Sequence, residues 1–396
     1  MNNIYKLIFA KFLGNLYFSI PIQTIFFFAK GLSFTEVMWL ESILLVGIIL
    51  FEVPTGILGD KIGRKWGLVL GSATATLAWI PWFLADGFWM FALAFFMSGI
   101  AIAFSSGSDQ ALIYDDLKSQ GKEKKMQKIY GIYLAMFTLS SAVAGLVGGF
   151  IASSHNLEVF YFLYKMMVVT EILGLFVLLF VKDVRESKQG EQIKKKPETA
   201  FALFSDGIKL LRGNNKLKRI FLLSLFTTPF SITLIYIFQP YFLQSAVSTE
   251  WFGIAIFLSS LLAVSAKLLA HKIEAWFGIT KGIMLVTILP ALFWSLMGIL
   301  FTPVIAVLLF ILNDGAGNLR DPIFADFYNR HITSHNRATV LSTISLIVSI
   351  YVLLMRPTIG YLADINLSFA FFAMALIILF GALAFRLRDS DVGSIN

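Results

Sequence analysis

The sequence contains no cysteine. Disulfides, thiolate metal sites and cysteine nucleophiles are therefore excluded. Charged residues are also scarce, at 14% of the chain, whereas a soluble domain has about 25%. Hydrophobic residues make up 58%, with 40 phenylalanines, and the mean hydropathy is +0.79. A soluble core cannot absorb so much apolar surface, so we expect most of the chain to lie in lipid.

Sequence patterns for catalysis are absent as well. The chain has only four histidines, no Walker-type phosphate loop and no nucleophile–base spacing. We therefore expect neither an enzyme nor an ATP-driven pump, and we expect no cofactor and no metal. The first apolar segment begins almost at Met1 and lacks a cleavage pattern, so no cleavable signal peptide is expected.

Apolar runs of about 20 residues recur along the chain, and each is long enough to cross about 30 Å of hydrocarbon as a helix. The sequence predicts an all-α integral membrane protein with twelve transmembrane helices. The predicted spans are 7–29, 34–58, 67–86, 88–113, 128–152, 158–181, 217–243, 249–270, 281–301, 303–324, 338–362 and 366–386. The division between the ninth and tenth spans rests on Thr302 and Pro303.

Lysine and arginine are distributed unevenly over the predicted loops. If the N-terminus is inside, all but three of the 32 basic residues lie on or next to inside segments, and the exceptions are Lys30, Lys165 and Arg356. This skew follows the positive-inside rule, so we expect a multi-pass protein of a bacterial plasma or inner membrane with both termini in the cytoplasm. The net charge of +8 then reflects topology, and no nucleic-acid partner is expected.

One long polar stretch interrupts the apolar runs. It divides the chain into a predicted six-helix bundle at 1–181, a cytoplasmic linker at 182–216 and a second six-helix bundle at 217–396. The linker residues that share one helical face are Phe201, Phe204, Ile208 and Leu211. This face predicts a short interfacial helix that packs and tethers, with lipid sensing as the alternative.

The two halves resemble each other when the chain is shifted by 211 residues. The matched pairs include Lys61 with Lys272, Gly67 with Gly278, Gly71 with Gly282, Asp115 with Asp326, Gly149 with Gly360 and Phe160 with Phe371. The constant offset indicates an internal repeat. Two repeated bundles place a substrate site between the halves, near the midplane of the membrane.

The segment between the second and third spans reads GILGDKIGRK, from Gly56 to Lys65. It resembles the loop signature of the major facilitator superfamily, G-x-L-a-D-x-x-G-R-[KR], and lies where that family carries it. The span number, the central linker and the repeat agree with this resemblance, which covers nearly the whole chain. The resemblance implies a transporter of two pseudo-symmetric six-helix bundles, closest in pattern to bacterial multidrug or efflux members.

In the resembling family this loop latches the cytoplasmic ends of the two halves in the outward-open state. The resemblance assigns the gating role to Gly56, Asp60, Gly63, Arg64 and Lys65, which would close against the start of the eleventh span at about 338–342. It also implies a carboxylate partner at the end of the fourth span. The best match to that carboxylate is Asp116, and the near alternative is Asp115.

The second copy of the loop keeps only part of this pattern. At the offset of 211, Asp60 meets His271 and Gly63 meets Glu274. The first copy is therefore expected to dominate gating.

Charged residues within the predicted spans are functional candidates, because each costs about 2.5 kcal/mol or more at bilayer depth. Glu41 and Glu52 lie on one face of the second helix, in its outer and inner thirds. Arg356 lies in the outer third of the eleventh helix, which packs on the second in the resembling fold. Glu41 and Arg356 are therefore an outer gate pair or a static ion pair. Glu52 has no evident cation at its depth in its own half and is the first candidate for proton coupling.

Asp109 is the second candidate for proton coupling. It lies seven residues before Asp116, on nearly the same face of the fourth helix. Helices one, four, seven and ten line the cavity in the resembling fold, so Asp109 would face that cavity. At the offset of 211 it meets Arg320, which suggests an inner Asp109–Arg320 pair.

Polar residues on the other cavity-lining helices complete the candidate site. They are Asn15 and Tyr17 on the first helix, Tyr236 and Gln239 on the seventh, and Asn313, Asp314 and Asn318 on the tenth. Lys165 and Glu171, on the sixth helix, are interpreted as structural or lipid-facing. The fifth span contains AVAGLVGGFIA, which resembles the glycine-rich signature of the family's antiporters but lacks its proline.

These features favour a secondary active transporter that works by alternating access. We expect it to export a hydrophobic or amphipathic small molecule in exchange for protons, as a monomer among membrane lipids. The alternatives are a lipid or lysolipid flippase on the same fold, a proton-coupled nutrient importer, and a receptor or partner subunit that does not transport. An importer of a polar nutrient would be expected to carry a denser polar lining on helices one and seven.

Overall fold

The computed structural model describes residues 3–154, 156–183, 200–332 and 337–387. Helices dominate this part of the chain, which contains no β-strand. The helices are α1 (Asn3–Leu13), α2 (Gln23–Ala29), α3 (Phe34–Ile62), α4 (Arg64–Phe83), α5 (Phe88–Ser105), α6 (Ser108–Ser119), α7 (Met126–Ile151), α8 (Leu157–Leu179), α9 (Ala200–Gly213), α10 (Asn215–Thr227), α11 (Phe230–Gln244), α12 (Glu250–Met297), α13 (Pro303–His331), α14 (Arg337–Ile365) and α15 (Leu367–Ala384).

The helices account for the twelve predicted spans. Ten helical stretches of the described chain are long and apolar enough to cross a membrane. The remaining two are the first span, which is divided into α1 and α2, and the third span, α4, which begins with Arg64 and Lys65. The prediction of an all-α membrane protein with twelve transmembrane helices is therefore confirmed. The ninth and tenth spans are separate, since α12 ends at Met297 and α13 begins at Pro303.

Local capping residues explain where several of these helices begin. Ser33 and Glu36 form a capping box at the start of α3: the Ser33 Oγ accepts from the Glu36 N–H at 3.2 Å, and the Ser33 N–H donates to Glu36 Oε2 at 2.8 Å. Asparagine side chains cap α8, α10 and α15 through Asn156, Asn214 and Asn366. These polar residues follow the ends of apolar runs, so the sequence alone indicates the helix starts.

The contacts between its residues divide the chain into two compact units. The first unit is Met1–Gln192 with Thr249–Phe257, and the second is Ile193–Ser248 with Leu258–Asn396. The start of α12 therefore groups with the first unit, although the sequence assigns it to the second bundle. The reason is close helix packing within the first unit: a Cβ at Gly149 of α7 would lie 2.7 Å from the Cα of Gly253. Small residues allow such approaches between membrane helices.

The first unit has two buried regions. One is a cluster of aromatic rings in which Phe26, Phe27, Phe91 and Tyr164 surround Trp82, with ring centroids 4.7–6.1 Å apart. The other is an aliphatic cluster that joins α1, α4, α6 and α7, near the end where the basic residues lie. Together they hold the first span against its neighbours although that span is not a continuous helix.

In the second unit, the helix predicted within the linker corresponds to α9. Leu211 on its predicted face is buried, and Gly207 lies so close to Thr343 of α14 that an added Cβ would meet the threonine Oγ1. The linker segment 184–199 and the side chain of Phe201 lie outside the described residues. Helix α9 is therefore packed against the start of the eleventh span.

The internal repeat has a different offset in the loop between the second and third spans. Helix α3 ends at Gly63, with φ 108°, and the corresponding break in α12 lies at Gly278, with φ 73°. These two glycines are 215 residues apart, so Gly63 corresponds to Gly278 by its place in the turn. The predicted matches of Gly63 to Glu274 and of Gly67 to Gly278 do not hold in this loop. With this offset Asp60 corresponds to Ala275 rather than His271.

Candidate functional site

Gly63 makes the turn of the signature loop. Its φ of 108° and ψ of 148° are strained for any residue with a side chain, and its N–H donates to the Gly59 carbonyl at 2.9 Å. The next residue, Arg64, already begins α4. The turn is therefore one residue long and places Arg64 and Lys65 in the first turn of α4, beside the end of α3.

Arg64 reaches the carboxylate predicted at the end of the fourth span, but the partner is the alternative residue. The Arg64 Nε lies 3.5 Å from Asp115 Oδ2, with side-chain exposures of 40% and 23%. Asp116 is buried and accepts hydrogen bonds from Asn3 at 3.0 Å and from Gln120 at 2.9 Å. The assignment of Asp116 as the partner is therefore corrected to Asp115. Consecutive helical residues point about 100° apart, so only one of the two can face α4.

Other polar contacts bind the same end of the first unit together. The Asn3 amide bonds both backbone groups of Lys182, donating to its carbonyl at 3.0 Å and accepting from its N–H at 2.9 Å. Lys65 donates to the Leu179 carbonyl at 2.8 Å and Lys6 donates to the Phe180 carbonyl at 2.6 Å, at the C-terminal end of α8. A helix C-terminus favours cations. Lys65 therefore has a structural role within its own unit.

Two of the predicted gating residues of the signature loop are exposed. Gly56 and Asp60 lie on exposed positions of α3, and nothing lies within 4 Å of a Cβ added at Gly56. The side chain of Ala338, at the start of the expected docking segment, lies outside the described residues. The gating role of Gly56, Asp60, Gly63, Arg64 and Lys65 stays a prediction.

The fourth span is broken beside Asp109. Helix α5 ends at Ser105, Gly107 adopts a left-handed φ of 72°, and α6 begins at Ser108. Asp109 lies in the first turn of α6, where the helix dipole favours an anion, and its Oδ1 accepts from the Gln110 N–H at 2.6 Å. The break thus places a half-buried carboxylate at a helix N-terminus within the predicted span.

The first span contributes Lys11, which lies in the last turn of α1. It lies within electrostatic range of Asp109, and its Nζ is 5.4 Å from the ring centre of Tyr133 and 5.9 Å from that of Phe137. Tyr133 also faces Asp109 from α7. We call Lys11, Asp109, Tyr133 and Phe137 the Lys11 cluster. Lys11 was not predicted as a site residue, because it was grouped with the basic residues of the inside segment. Lys11 nevertheless lies four residues into the predicted span 7–29.

The break in the first span lies directly after Lys11. Helix α1 ends at Leu13, and the Asn15 amide donates to the Lys11 carbonyl at 2.6 Å, which satisfies a carbonyl at the end of α1. Tyr17 packs edge-on against Phe137, with ring centres 6.4 Å apart. Two of the predicted lining residues, Asn15 and Tyr17, therefore adjoin the Lys11 cluster.

In the second unit, Arg320 is bound to the backbone of the seventh span. It is 1% exposed, and it donates to the carbonyls of Thr227 and Thr228 and to the Ser231 Oγ. Asp109 lies in the first unit and Arg320 in the second, so the predicted Asp109–Arg320 pair stays a prediction. Each of the two residues has the contacts described above within its own unit.

Most of the predicted lining residues of the tenth and seventh spans are buried or hydrogen bonded to neighbouring residues. Asp314 accepts from the Asn318 amide at 3.1 Å and is hydrogen bonded to Ser259. Asn313 is 4% exposed and its amide donates to the Met297 sulfur at 3.7 Å. Gln239 is fully buried and Tyr236 is half-buried. Asn313 and Gln239 are therefore packing residues, whereas Asp314 and Tyr236 keep part of their surface open.

The intramembrane charges of the second and eleventh spans differ in exposure. Glu41 and Arg356 are both 5% exposed, whereas Glu52 is exposed. Within the described chain the Glu52 carboxylate has no hydrogen bond or ion pair, and only its backbone carbonyl accepts from the Thr55 hydroxyl at 3.3 Å. The Glu41–Arg356 gate joins the two units and stays a prediction.

Glu171 is held inside the first unit, whereas Lys165 of the same helix is exposed. The Trp79 indole N–H of α4 donates to Glu171 Oε2 at 2.7 Å. A structural role is therefore the simplest account of Glu171. No group of three histidine, cysteine, aspartate or glutamate side chains suited to a metal occurs in the ranges that the structure describes.

Comparison with known proteins identifies the family. The family model of the Major Facilitator Superfamily matches residues 7–350 of this chain. The uncharacterized MFS-type transporter YxaM of Bacillus subtilis (strain 168) is 20% identical over 388 residues, which cover 94% of this chain and 93% of that protein.

Two solved structures show the same fold. The nucleoside transporter NupG has a TM-score of 0.76 at 15% identity, and the likeness covers 97% of this chain and 98% of that one. A bacterial homologue of the iron transporter ferroportin, in an inward-facing state, has a TM-score of 0.72 at 13% identity, with 97% of each chain covered. The match over most of the chain shows that this multi-pass membrane protein is a transporter, and not an enzyme, of the Major Facilitator Superfamily.

Proposed function

We propose that this transporter is a secondary active carrier that exports a hydrophobic or amphipathic small molecule across the plasma membrane in exchange for protons. The observation that carries the proposal is the Lys11 cluster, in which an ammonium group lies within electrostatic range of a carboxylate in the first unit. Charges at bilayer depth are costly and are retained mostly where they serve transport.

Asp109 is the coupling residue in this proposal. As a carboxylate it attracts Lys11, and as a carboxylic acid it does not, so proton binding weakens one contact between the first and fourth spans. Both spans are broken within a few residues of this contact, after Leu13 and at Gly107. A proton that arrives at Asp109 therefore changes the attraction between two half-helices that are already interrupted.

Glu52 becomes the second candidate. It is exposed on α3, and its carboxylate has no hydrogen bond or ion pair in the described part of the chain, so its protonation would alter no contact within the first unit. Its protonation would remove a negative charge from the exposed surface of α3. The order of the two candidates is therefore reversed relative to the expectation from sequence.

The arrangement of polar groups supports an apolar substrate. The Asn15 amide donates to the backbone of α1, and Gln239 and Asn313 are buried in helix packing. The aromatic ring of Phe137, in contrast, is 46% exposed beside Lys11. Few polar side chains of the first, seventh and tenth spans thus stay available to bind a polar solute, whereas aromatic surface does.

The test is flux into proteoliposomes with an imposed pH gradient. Four probes separate the candidate functions: ethidium as an amphipathic cation, uridine and dialanine as polar nutrients, and a fluorescent lysophosphatidylcholine as a lipid. The native chain is compared with Asp109→Asn, Glu52→Gln and the control Asp86→Asn, whose carboxylate is exposed in the loop between α4 and α5. We expect gradient-driven ethidium flux, lowered about tenfold or more by Asp109→Asn and unchanged by the control.

Ethidium exchange without a gradient should persist in Asp109→Asn, because the substrate still binds and only the proton step is lost. Loss of gradient dependence in Glu52→Gln alone would transfer the coupling role to Glu52. Gradient-driven uptake of uridine or dialanine in place of ethidium would overturn export in favour of nutrient import, and movement of the lysolipid alone would identify a flippase.

A further inference from the structure

The seventh span is not a continuous helix. Helix α10 ends at Thr227 and α11 begins at Phe230, with Thr228 and Pro229 between them. Proline has no N–H to donate, so the hydrogen-bond ladder is interrupted here. The Ser231 N–H, which in a regular helix would bond the Thr227 carbonyl, donates to the Thr228 carbonyl at 3.3 Å. The break therefore releases the Thr227 carbonyl in the middle of a span.

A released carbonyl in a membrane needs another donor. Arg320 of α13 supplies it: its Nη1 donates to the Thr227 carbonyl at 2.7 Å, and its Nη2 donates to the Thr228 carbonyl at 3.4 Å and to the Ser231 Oγ at 2.9 Å. One guanidinium thus bonds the last residue of α10, the break and the first turn of α11. Its planar fork suits several acceptors at fixed positions.

The charge of Arg320 is also matched to this position. A helix C-terminus carries partial negative charge, and the guanidinium lies at the C-terminal end of α10. The guanidinium is 1% exposed, and its one ion-pair contact in the described chain is with Asp321 at 3.9 Å, whose side chain is 55% exposed. The backbone of the break, rather than a buried carboxylate, is therefore the main partner of this cation.

Helix α13 contacts the seventh span on both sides of the break. A Cβ at Gly317 would lie 2.7 Å from the Ser231 Oγ, one turn before Arg320. The Tyr328 hydroxyl and the Ser224 Oγ are 2.6 Å apart, two turns after Arg320. The three positions 317, 320 and 328 therefore connect one continuous helix to both halves of a broken one.

We propose that Arg320 is a positioning residue that sets the bend of the seventh span and makes α10, α11 and α13 move as one body during transport. In broken-helix transporters, carbonyls at such a half-helix end often coordinate a coupling cation. Here the guanidinium occupies that place as a permanent cation. The inference concerns the second unit and goes beyond the proposed proton-coupled export, because it holds for any substrate or coupling residue.

The bend can be measured directly, because the chain has no native cysteine. Lys218 of α10 and Leu243 of α11 are exposed and lie on opposite sides of the break. Cysteines at these two positions would carry spin labels about 38 Å apart, from the helical rise over 25 residues. Pulsed electron–electron double resonance on the protein in liposomes then measures the distribution of distances between the two labels across the break.

We expect one narrow distribution in the otherwise native chain and at least about a twofold broadening in Arg320→Gln, since the Thr227 and Thr228 carbonyls and the Ser231 hydroxyl lose their common donor. Arg320→Lys should restore part of the narrowing, because the ammonium group still reaches the Thr227 carbonyl. The matched control is Arg330→Gln on the same helix, which removes the Arg330–Asp326 pair one turn apart and should leave the distribution unchanged.

Ser231→Ala gives a milder variant that removes one of the three acceptors, and it decides the question if Arg320→Gln does not fold. We expect an intermediate broadening in Ser231→Ala. Distributions as narrow as the native one in Arg320→Gln, or in Ser231→Ala where that is the variant that folds, would overturn the proposal. Equal broadening in Arg320→Lys and Arg320→Gln, without rescue, would also overturn it. Neither result bears on proton coupling by Asp109, so the two proposals fail independently.

Discussion

At the scale of single residues, two adjacent aspartates have different surroundings. Asp115 is partly exposed and pairs with Arg64 of the signature loop, whereas Asp116 is buried between Asn3 and Gln120. An exposed ion pair contributes about 0–1 kcal/mol to stability. A buried carboxylate that accepts two hydrogen bonds contributes more, because its loss leaves donors unsatisfied. Asp115 is therefore the member suited to a contact that opens and closes.

We expect Asp115→Asn and Asp116→Asn to have opposite profiles. Asp116→Asn presents an amide N–H to a donor and should lower the free energy of unfolding by about 1–3 kcal/mol. Asp115→Asn should change it by less than about 1 kcal/mol but weaken the latch. Thermal melting by intrinsic tryptophan fluorescence measures the first effect.

The latch effect is read from a cysteine at Gln110, an exposed position next to Asp109. Its rate of labelling from the cytoplasmic side should rise in Asp115→Asn, because the inward-open state gains population. Asp116→Asn serves as the control for this readout. If the labelling rate rises with Asp116→Asn and not with Asp115→Asn, the assignment of the latch carboxylate to Asp115 is wrong.

At the scale of elements, the fifth span shows how glycines place one helix against another. In the first unit, a Cβ at Gly148 of α7 would lie 1.9 Å from the Phe18 carbonyl, and a Cβ at Gly149 would lie 2.7 Å from Gly253. Helices in lipid gain little from burying apolar surface against each other, so close packing through small residues has to hold them. The glycine-rich pattern is thus explained by packing without the proline of the antiporter signature.

We expect Gly149→Ala to lower the melting temperature, since the methyl group overlaps backbone atoms that cannot rotate away; the cost is about 1–3 kcal/mol. Gly131→Ala on the same helix is the matched control, because nothing lies within 4 Å of its added Cβ. That control should be neutral or stabilising by up to about 1 kcal/mol, as alanine favours helix over glycine. A melting temperature for Gly149→Ala at or above that of Gly131→Ala would contradict this packing argument.

At the scale of the whole molecule, the orientation in the membrane follows from charge. Basic residues concentrate at one end of the spans, and the Lys6, Arg64 and Lys65 contacts at that end join α1, α4, α6 and α8 of the first unit. The positive-inside rule predicts that this end is cytoplasmic. The contacts among these helices would be the same in either membrane orientation, so the orientation is measured separately.

Cysteines at Asp86 and Lys122 test the orientation. Both residues are exposed, the first between α4 and α5 and the second between α6 and α7. In intact spheroplasts a membrane-impermeant maleimide should label Asp86→Cys at once and Lys122→Cys only after permeabilisation. The native chain is the blank, as it has no cysteine. The reverse labelling order would show that both predicted termini are outside.

Hydropathy predicted where the spans lie, because the cost of placing a residue in lipid is nearly local and additive. It did not predict that the first, fourth and seventh spans are broken, at residues 14–19, 106–107 and 228–229. Those residues stay within apolar runs, and the broken backbone is stabilised by groups distant in sequence, such as Arg320 for Thr227. The repeat offset of the signature loop was also misjudged, because residue matches alone do not locate the glycine that turns the chain.

The amino-acid sequence by itself determined that the chain is a twelve-span membrane protein, where its basic loops lie and which loop carries the family signature. Only the tertiary structure decided the surroundings of the charges: Arg64 pairs with Asp115, Lys11 lies within electrostatic range of Asp109, and Arg320 binds the carbonyls of a broken helix. The physical reason is direction. Partition into lipid depends on what a residue is, whereas a contact depends on where its side chain points, and each residue along a helix turns that direction by about 100°.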